Sequence, residues 1–292
     1  MTNGISLAGI NSSDFYRLSY PLRPDLYARM EDRFPGWPLL ALDRKKRVVY
    51  GHDYVSLLRR RKDGACRVLR LDIHEGEGLL LNFGIKKILT GLNLFEQLLF
   101  VRKVLPFFPV PEIQRRAGLS FAVEEFLPNK LDVLLRPPFR PALVADRISP
   151  KIALKLLDLP GKDRASLLQV LAAAAFTENQ QLRLIELAEE TAFARKEPVF
   201  RVLSRAGIHR LLKREMPQKQ ILASLFRFRY PLFSENEKRW LEKIGRIAEG
   251  GRIQVRRHPY AEKKEMDVVI RVGSEQQALS VLDILKKTFP DG

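Results

Sequence analysis

Between Leu92 and about Tyr230, apolar residues recur at helical spacing, but proline interrupts the pattern too often for any helix there to run long. Proline lacks an N–H and clashes with the carbonyl four residues earlier. Pro106/Pro109, Pro137/Pro138/Pro141, Pro160 and Pro217 therefore each close a segment. This stretch must fold as a packed set of short helices. Starts are marked by Asn93 with Glu96 three residues on, Ser149 before Pro150, and Thr177 before Glu178. No fixed-period repeat supports a solenoid.

The flanks have a different rhythm. Short β-like runs at Leu39 to Leu42, Arg47 to Tyr50 and Arg67 to Ile73 alternate with helical ones before Leu89. The turn Asp43-Arg44-Lys45-Lys46 joins the first two, and Gly51 makes a corner into a helix carrying Tyr54, Leu57 and Leu58. After Tyr230 the pattern reads helix (Trp240, Leu241, Ile244, Ile247), strand (Ile253, Val255), longer strand (Met266, Val268, Ile270, Val272) and helix (Ala278, Leu282, Leu285, Phe289), the last capped by Ser274 with Gln277. The expected fold class is α+β. Its parts are a mixed N-terminal domain (1–90), an all-helical middle (91–230) and a small αββα domain (231–292). The last is too small for a generous core and has an open strand edge, so pairing with a second copy is expected.

The chain has 292 residues, 46% of them hydrophobic, enough to bury real cores. Its 51 Lys and Arg against 34 Asp and Glu leave a net charge of +17, which favours a polyanionic partner. The excess is concentrated. From Thr191 to Tyr230, Arg195, Lys196, Arg201, Arg205, Arg210, Lys213, Arg214, Lys219, Arg227 and Arg229 face two acids, Glu197 and Glu215. No apolar run is long enough to span a membrane, and the first residues lack the pattern of a signal peptide, so a cytoplasmic protein without a membrane partner is expected. The single Cys66 excludes an internal disulfide and lies in a strand-like run, where packing is its expected role.

The sharpest local signal is Val110-Pro111-Glu112-Ile113-Gln114-Arg115-Arg116-Ala117-Gly118-Leu119-Ser120, a short helix ending at glycine before a polar cap. It has the form of a helix-turn-helix, with a second helix expected over Phe121 to Leu131. Glu124, Glu125 and Pro128 make that helix a poor reader of bases, leaving Asn129 and Lys130. His52, His74, His209 and His258 are scattered, and no metal site is expected. Asp43, Asp53, Asp72, Glu75 and Glu77 read as turn and edge carboxylates rather than a nuclease centre. His74-Glu75-Gly76-Glu77-Gly78 reads as a loop between acids, unsuited to phosphate.

The order of these pieces resembles ParB-type partition proteins, the centromere-binding partners of a segregation ATPase. The resemblance runs through FYRLSYPLRPDLYARMEDRFPGWPLLALDRKKRVVYGHDYVSLL (15–58), LNFGIKKILTGLNLFEQLLFVRK (81–103), the helix-turn-helix and RPPFRPALVADRISPKIALKLLDLP (136–160). It implies DNA and a ParA-like ATPase as partners, a homodimer, a place on the nucleoid, and a CTP pocket for which Gly51, His52, Asn82 and Lys86 are the candidates. The family's arginine positions hold Asp53 and Tyr54; Leu81 and Ile85 replace a glutamate and an arginine, and Lys86 falls one place late. A carboxylate in place of a guanidinium repels phosphate by roughly 1 kcal/mol at 4 Å in water. Weak or absent CTP binding, no efficient hydrolysis and no other cofactor are expected. The candidate nucleic-acid contacts are Gln114, Arg115, Arg116, Ser120, Asn129, Lys130, Arg205, Arg210, Lys213 and Arg214. A nucleotide-dependent enzyme or nuclease on the same fold is the competing reading, and a ParB-like transcriptional regulator is a third.

Overall fold

The computed structural model describes residues 3–11, 13–33, 40–62, 65–127, 129–214, 216, 218–247, 253–257 and 266–288. The chain forms two compact units, Met1–Leu222 and Ala223–Gly292. In the first, β1 (Asn3–Ser6), β2 (Ala41–Leu42), β3 (Val48–Tyr50) and β4 (Ala65–Arg70) make a four-stranded sheet in the order β1-β4-β2-β3. The β2–β3 pair is antiparallel around the expected polar turn, which Asp43 closes: its Oδ1 accepts from the Arg47 N–H at 2.9 Å, and its carbonyl accepts from the Lys46 N–H at 2.9 Å. The parallel β2–β4 pairing requires a crossover, supplied by β3 and α2 (His52–Arg61). Gly51 enters α2 at φ +95°, a left-handed corner that favours glycine.

α1 (Pro24–Arg33) packs on α2, with the rings of Tyr27 and Tyr54 stacked at 6.3 Å. Leu40, Leu42, Val48, Val55, Leu58, Cys66 and Val68 fill the space beneath. Cys66 is a buried free thiol, and burial raises its pKa, so packing is its observed role. The sequence reading missed β1, a four-residue run of no clear periodicity that pairs antiparallel with β4.

One expectation is corrected by the next element. The segment read as a loop, Glu75 to Gly78, is the first turn of α3 (Glu75–Leu89). Its two carboxylates suit the positive end of the helix dipole. Its two glycines leave room for rings: a Cβ on Gly76 would lie 2.6 Å from the Phe108 ring, and one on Gly78 would lie 2.6 Å from the Tyr16 ring. α3 then packs on α4 (Leu94–Val104), with Phe83 and Phe100 stacked at 4.1 Å.

Most of the helices that follow are short: α5 (Val110–Ala117), α6 (Asn129–Leu134), α7 (Phe139–Val144), α8 (Pro150–Leu157), α9 (Gly161–Ala173), α10 (Glu178–Arg195), α11 (Val199–Arg205), α12 (Ile208–Lys213) and α13 (Gln218–Arg229). The exception is α10, which runs to 18 residues in a stretch free of proline between Pro160 and Pro198. The marked starts hold. Asn93 with Glu96 and Thr177 with Gln180 form capping boxes, and Ser149 caps α8 ahead of Pro150.

The continuous second helix expected over Phe121 to Leu131 does not form. Gly118 ends α5 at φ +57°, but a 3-10 turn over Val123–Phe126 follows, and α6 starts only at Asn129. Pro128 would clash with the Glu124 carbonyl in an α-helix; that carbonyl instead accepts from the Leu127 N–H at 3.3 Å. Ser120 is exposed and does not cap the turn. Gln114 stitches it instead, donating from Nε2 to the Leu119 carbonyl (3.2 Å) and accepting at Oε1 from the Val123 N–H (3.1 Å).

The second unit contains α14 (Pro231–Ile247), β5 (Ile253–Arg257), β6 (Met266–Ile270) and α15 (Glu275–Thr288). β5 and β6 are antiparallel, pairing Ile253 with Ile270 and Val255 with Val268. Ser274 accepts from the Gln277 N–H at 3.3 Å, as its capping pattern predicts; Phe289 lies outside the described residues. Val268 and Val269, neighbours that point to opposite faces of the hairpin, are both exposed, as are Leu279 and Leu282 of α15. Among the described residues no helix is long and apolar enough to cross a membrane.

The two interior glycines of α3 should respond to alanine with opposite signs. Gly84→Ala meets open space and should stabilise by about 0.5–1 kcal/mol. Gly78→Ala drives a methyl into the buried Tyr16 ring and should destabilise by about 1–3 kcal/mol. Urea denaturation of the two variants checks both.

Candidate nucleotide position and nucleic-acid interface

Of the expected nucleotide positions Gly51, His52, Asn82 and Lys86, only Lys86 enters a buried charged cluster, which lies among α2, α3, α4 and the segment Tyr16 to Arg23. Lys86 of α3 is 3% exposed, Asp53 of α2 is 2% and Glu96 of α4 is 0%. The Lys86 ammonium donates to Ser19 Oγ at 2.6 Å and lies 3.6 Å from Asp53 and 3.9 Å from Glu96. Asp53 also accepts from the Ser19 hydroxyl and from the Arg23 N–H. Glu96 accepts from the Tyr20 N–H (2.8 Å), the Asn93 N–H (3.1 Å) and the Arg23 guanidinium (3.3 Å). Burial pushes the Lys86 ammonium below its ordinary pKa, opposed by Asp53 and Glu96; burial pushes Glu96 up, opposed by Lys86.

Of the nucleotide candidates, Lys86 is thus committed to internal partners, and Asn82 donates to the Tyr16 carbonyl at 2.6 Å. Gly51 is buried at its corner. His52 points along a different face of α2, considered below. Sequence reasoning missed Arg23 and Glu96 as members of this cluster. The signal that existed was the Asn93–Glu96 capping box, which announces a carboxylate aimed back along the chain.

The four other acids weighed as a nuclease centre are each matched to a cation. Asp43 accepts from Arg47 Nε at 2.7 Å, Glu75 from Arg47 at 2.8 Å, Glu77 from Arg116 at 2.8 Å, and Asp72 from Arg44. Among the described residues no group of three or more His, Cys, Asp and Glu is arranged to hold a metal ion. His258 lies outside them.

The helix-turn-helix candidates divide by role. Arg116 is held by Glu77 and Glu112 and lies over the Phe108 ring, so it braces α5 against α3. Gln114 is spent on the turn. Lys87 of α3 donates to the Ala117 and Gly118 carbonyls at 3.1 and 2.7 Å, where a cation meets the negative end of α5. Arg115, Ser120, Asn129 and Lys130 are exposed.

Farther along, α11 exposes Arg201 and Arg205 at i and i+4, and α12 with its cap exposes Arg210, Lys213 and Arg214 at i, i+3 and i+4. Arg205 is paired with Glu197. Two adjoining short helices thus each carry their cations on one face, a geometry suited to successive phosphates rather than to base edges.

No family model matches this chain, and no curated protein does. A solved structure titled as the C2221 form of a Pnob8-like ParB-N domain is similar at a TM-score of 0.36 and 14% identity, covering 67% of this chain and 83% of that one.

The buried cluster generates a stability prediction. Lys86→Met leaves Asp53 and Glu96 in a dry site with one cation fewer and should cost about 3–5 kcal/mol. Adding Glu96→Gln should recover part of that loss. Chemical denaturation of the single and double variants measures both steps.

Proposed function

We propose that this chain is a DNA-associated protein of ParB-like type, acting as a homodimer in chromosome or plasmid partition, in the cytoplasm on the nucleoid, with a ParA-like ATPase as partner and without efficient CTP hydrolysis. The observation that carries the DNA reading is the cationic surface of α11 and α12, where Arg201, Arg210, Lys213 and Arg214 stand exposed in a chain of net charge +17. The exposed Arg115, Asn129 and Lys130 add a smaller contact near the helix-turn-helix. Because its second element is a 3-10 turn carrying the exposed Glu124 and Glu125, binding is expected to rest on phosphate contacts and to select sequence weakly.

The test is fluorescence anisotropy against random and selected duplexes at several salt concentrations. Affinity should fall steeply with salt, and replacing Arg210, Lys213 and Arg214 by alanine should flatten the logarithmic slope by about three units, equally for all sequences. Salt-independent binding, or preference for one duplex by more than about a thousandfold, overturns the phosphate reading.

The dimer reading rests on the second unit, whose hairpin leaves Val268 and Val269 exposed on opposite faces and whose helix α15 exposes Leu279 and Leu282. Open edges and apolar faces of this kind are closed by a second copy. Light scattering should give a dimer for the full chain and a monomer for a chain truncated after Tyr230. An unchanged dimer on truncation removes the reading.

For the nucleotide, Lys86 and Asp53 satisfying one another is the supporting geometry. Calorimetry should find CTP affinity no tighter than about 1 mM, with no hydrolysis in a phosphate-release assay.

A further inference from the structure

One stripe of α2 carries polar side chains that take no part in the Asp53–Lys86 cluster. His52, Ser56, Arg59 and Arg60, spaced at one and two helical turns, line a cleft of about 400 Å³ whose other wall is Asp14, Arg17 and Leu22. Its volume is in the range of small-ligand sites. Val48 and Val55, both buried, join Leu22 in the apolar part of its lining.

Charge in this cleft is lopsided. Arg17 is paired with Asp14 at 3.2 Å, whereas Arg59 and Arg60 are exposed and make no ion pair with any described residue. The facing wall is not a loose loop. Lys103 of α4 donates to the backbone carbonyls of Asp14, Phe15 and Arg17, the last two at 2.9 Å each, and so pins the segment from below.

His52 supplies the unexplained group. Its ring bonds the Ser13 backbone, yet its Nε2 is buried and has no hydrogen-bond partner among the described residues. Buried polar atoms are nearly always satisfied, and an orphan calls for a ligand or an ordered solvent molecule. The Ser13 bond favours the charged form and is therefore a donation, which falls to Nδ1 because Nε2 is partnerless. Burial pushes the imidazole pKa down to about 4, with Lys103 and Arg17 acting in the same direction and Asp53 opposing. The ring is therefore neutral near pH 7, and Nε2 is a lone pair that can accept but not donate.

We propose that this cleft binds the phosphate group of a small phosphorylated ligand. Arg59, Arg60 and Arg17 neutralise the anionic oxygens, and Nε2 of His52 accepts a hydrogen bond from a protonated phosphoryl oxygen. Guanidinium forks match phosphate and sulfate alike; the neutral imidazole separates the two. A phosphate monoester titrates near pH 6 and still carries a proton in part of its population there. Sulfate has none to give, so it meets the lone pair with its own. The site lies away from α11 and α12 in sequence and shares no residue with the DNA-binding surface or with the Asp53 cluster.

Calorimetry on the full chain at pH 6, with inorganic phosphate, glycerol 3-phosphate and sulfate as separate probes, tests the proposal. Both phosphates should bind at least about tenfold more tightly than sulfate, and Arg59→Ala with Arg60→Ala, both exposed and safe for folding, should weaken phosphate by at least about tenfold. His52→Phe should abolish the preference over sulfate while leaving residual anion binding. If that variant does not fold, the preference of the parent and the arginine pair decide the matter alone. Equal binding of sulfate and phosphate by the parent, or undiminished binding by the arginine variant, overturns the proposal. So does a parallel loss in the Arg210, Lys213 and Arg214 variant, because the anion then sits on the other basic surface.

Discussion

The arrangement of the N-terminal unit depends on one buried ammonium. Lys86 reaches from α3 into a space with Asp53 of α2 on one side and Glu96 of α4 on the other, and Ser19 of the connecting segment completes its shell. Moving such ions out of water costs several kcal/mol each, which is recovered only when the charges balance and every lone pair is satisfied. Here Arg23 supplies the second cation, and backbone N–H groups of Tyr20, Arg23 and Asn93 take up the remaining carboxylate capacity. Three helices and one irregular segment share this single network, so none of them can shift without stranding a charge.

In this chain Asp53 and Lys86 are turned to one another and Asn82 to the Tyr16 carbonyl, so these side chains act as an internal brace. Exposed cations stand on α11 and α12 and on the Arg59/Arg60 side of α2. The first set recurs at i, i+3 and i+4 on short helices. The second is a cleft with a neutral acceptor among its lining groups, a geometry for one small anion.

Much of the local structure is legible in the sequence. Asn93, Ser149 and Thr177 cap helices where their sequence patterns place them, because a cap is a contact within four residues. Gly51 and Gly118 take left-handed conformations at the corners their neighbours implied. The failures share a physical cause. Glu75 to Gly78 looked like a loop because its two glycines lack helix propensity, and it is helical with the rings of Phe108 and Tyr16 occupying the space their missing side chains leave. The helix expected after Gly118 is broken because Phe121, Val123 and Phe126 are all drawn into the core, at a spacing no α-helix provides.

The sequence by itself determined that the middle is helical and basic, where three of its helices begin, and that the C-terminal segment carries two alternating strands between helices; these follow from periodicity, capping and charge, all local properties. Only the tertiary structure decided what the polar side chains do. Arg116 and Arg210 are the same residue type in similar helical settings, yet one is clamped by Glu77 from 39 positions away and the other faces solvent. Lys86 and Lys87 are adjacent, yet one is sealed in an ion cluster and the other caps α5. A charge becomes a brace or a binding group according to which distant partner the fold brings beside it and how much water it keeps, and neither is written in the spacing of nearby residues.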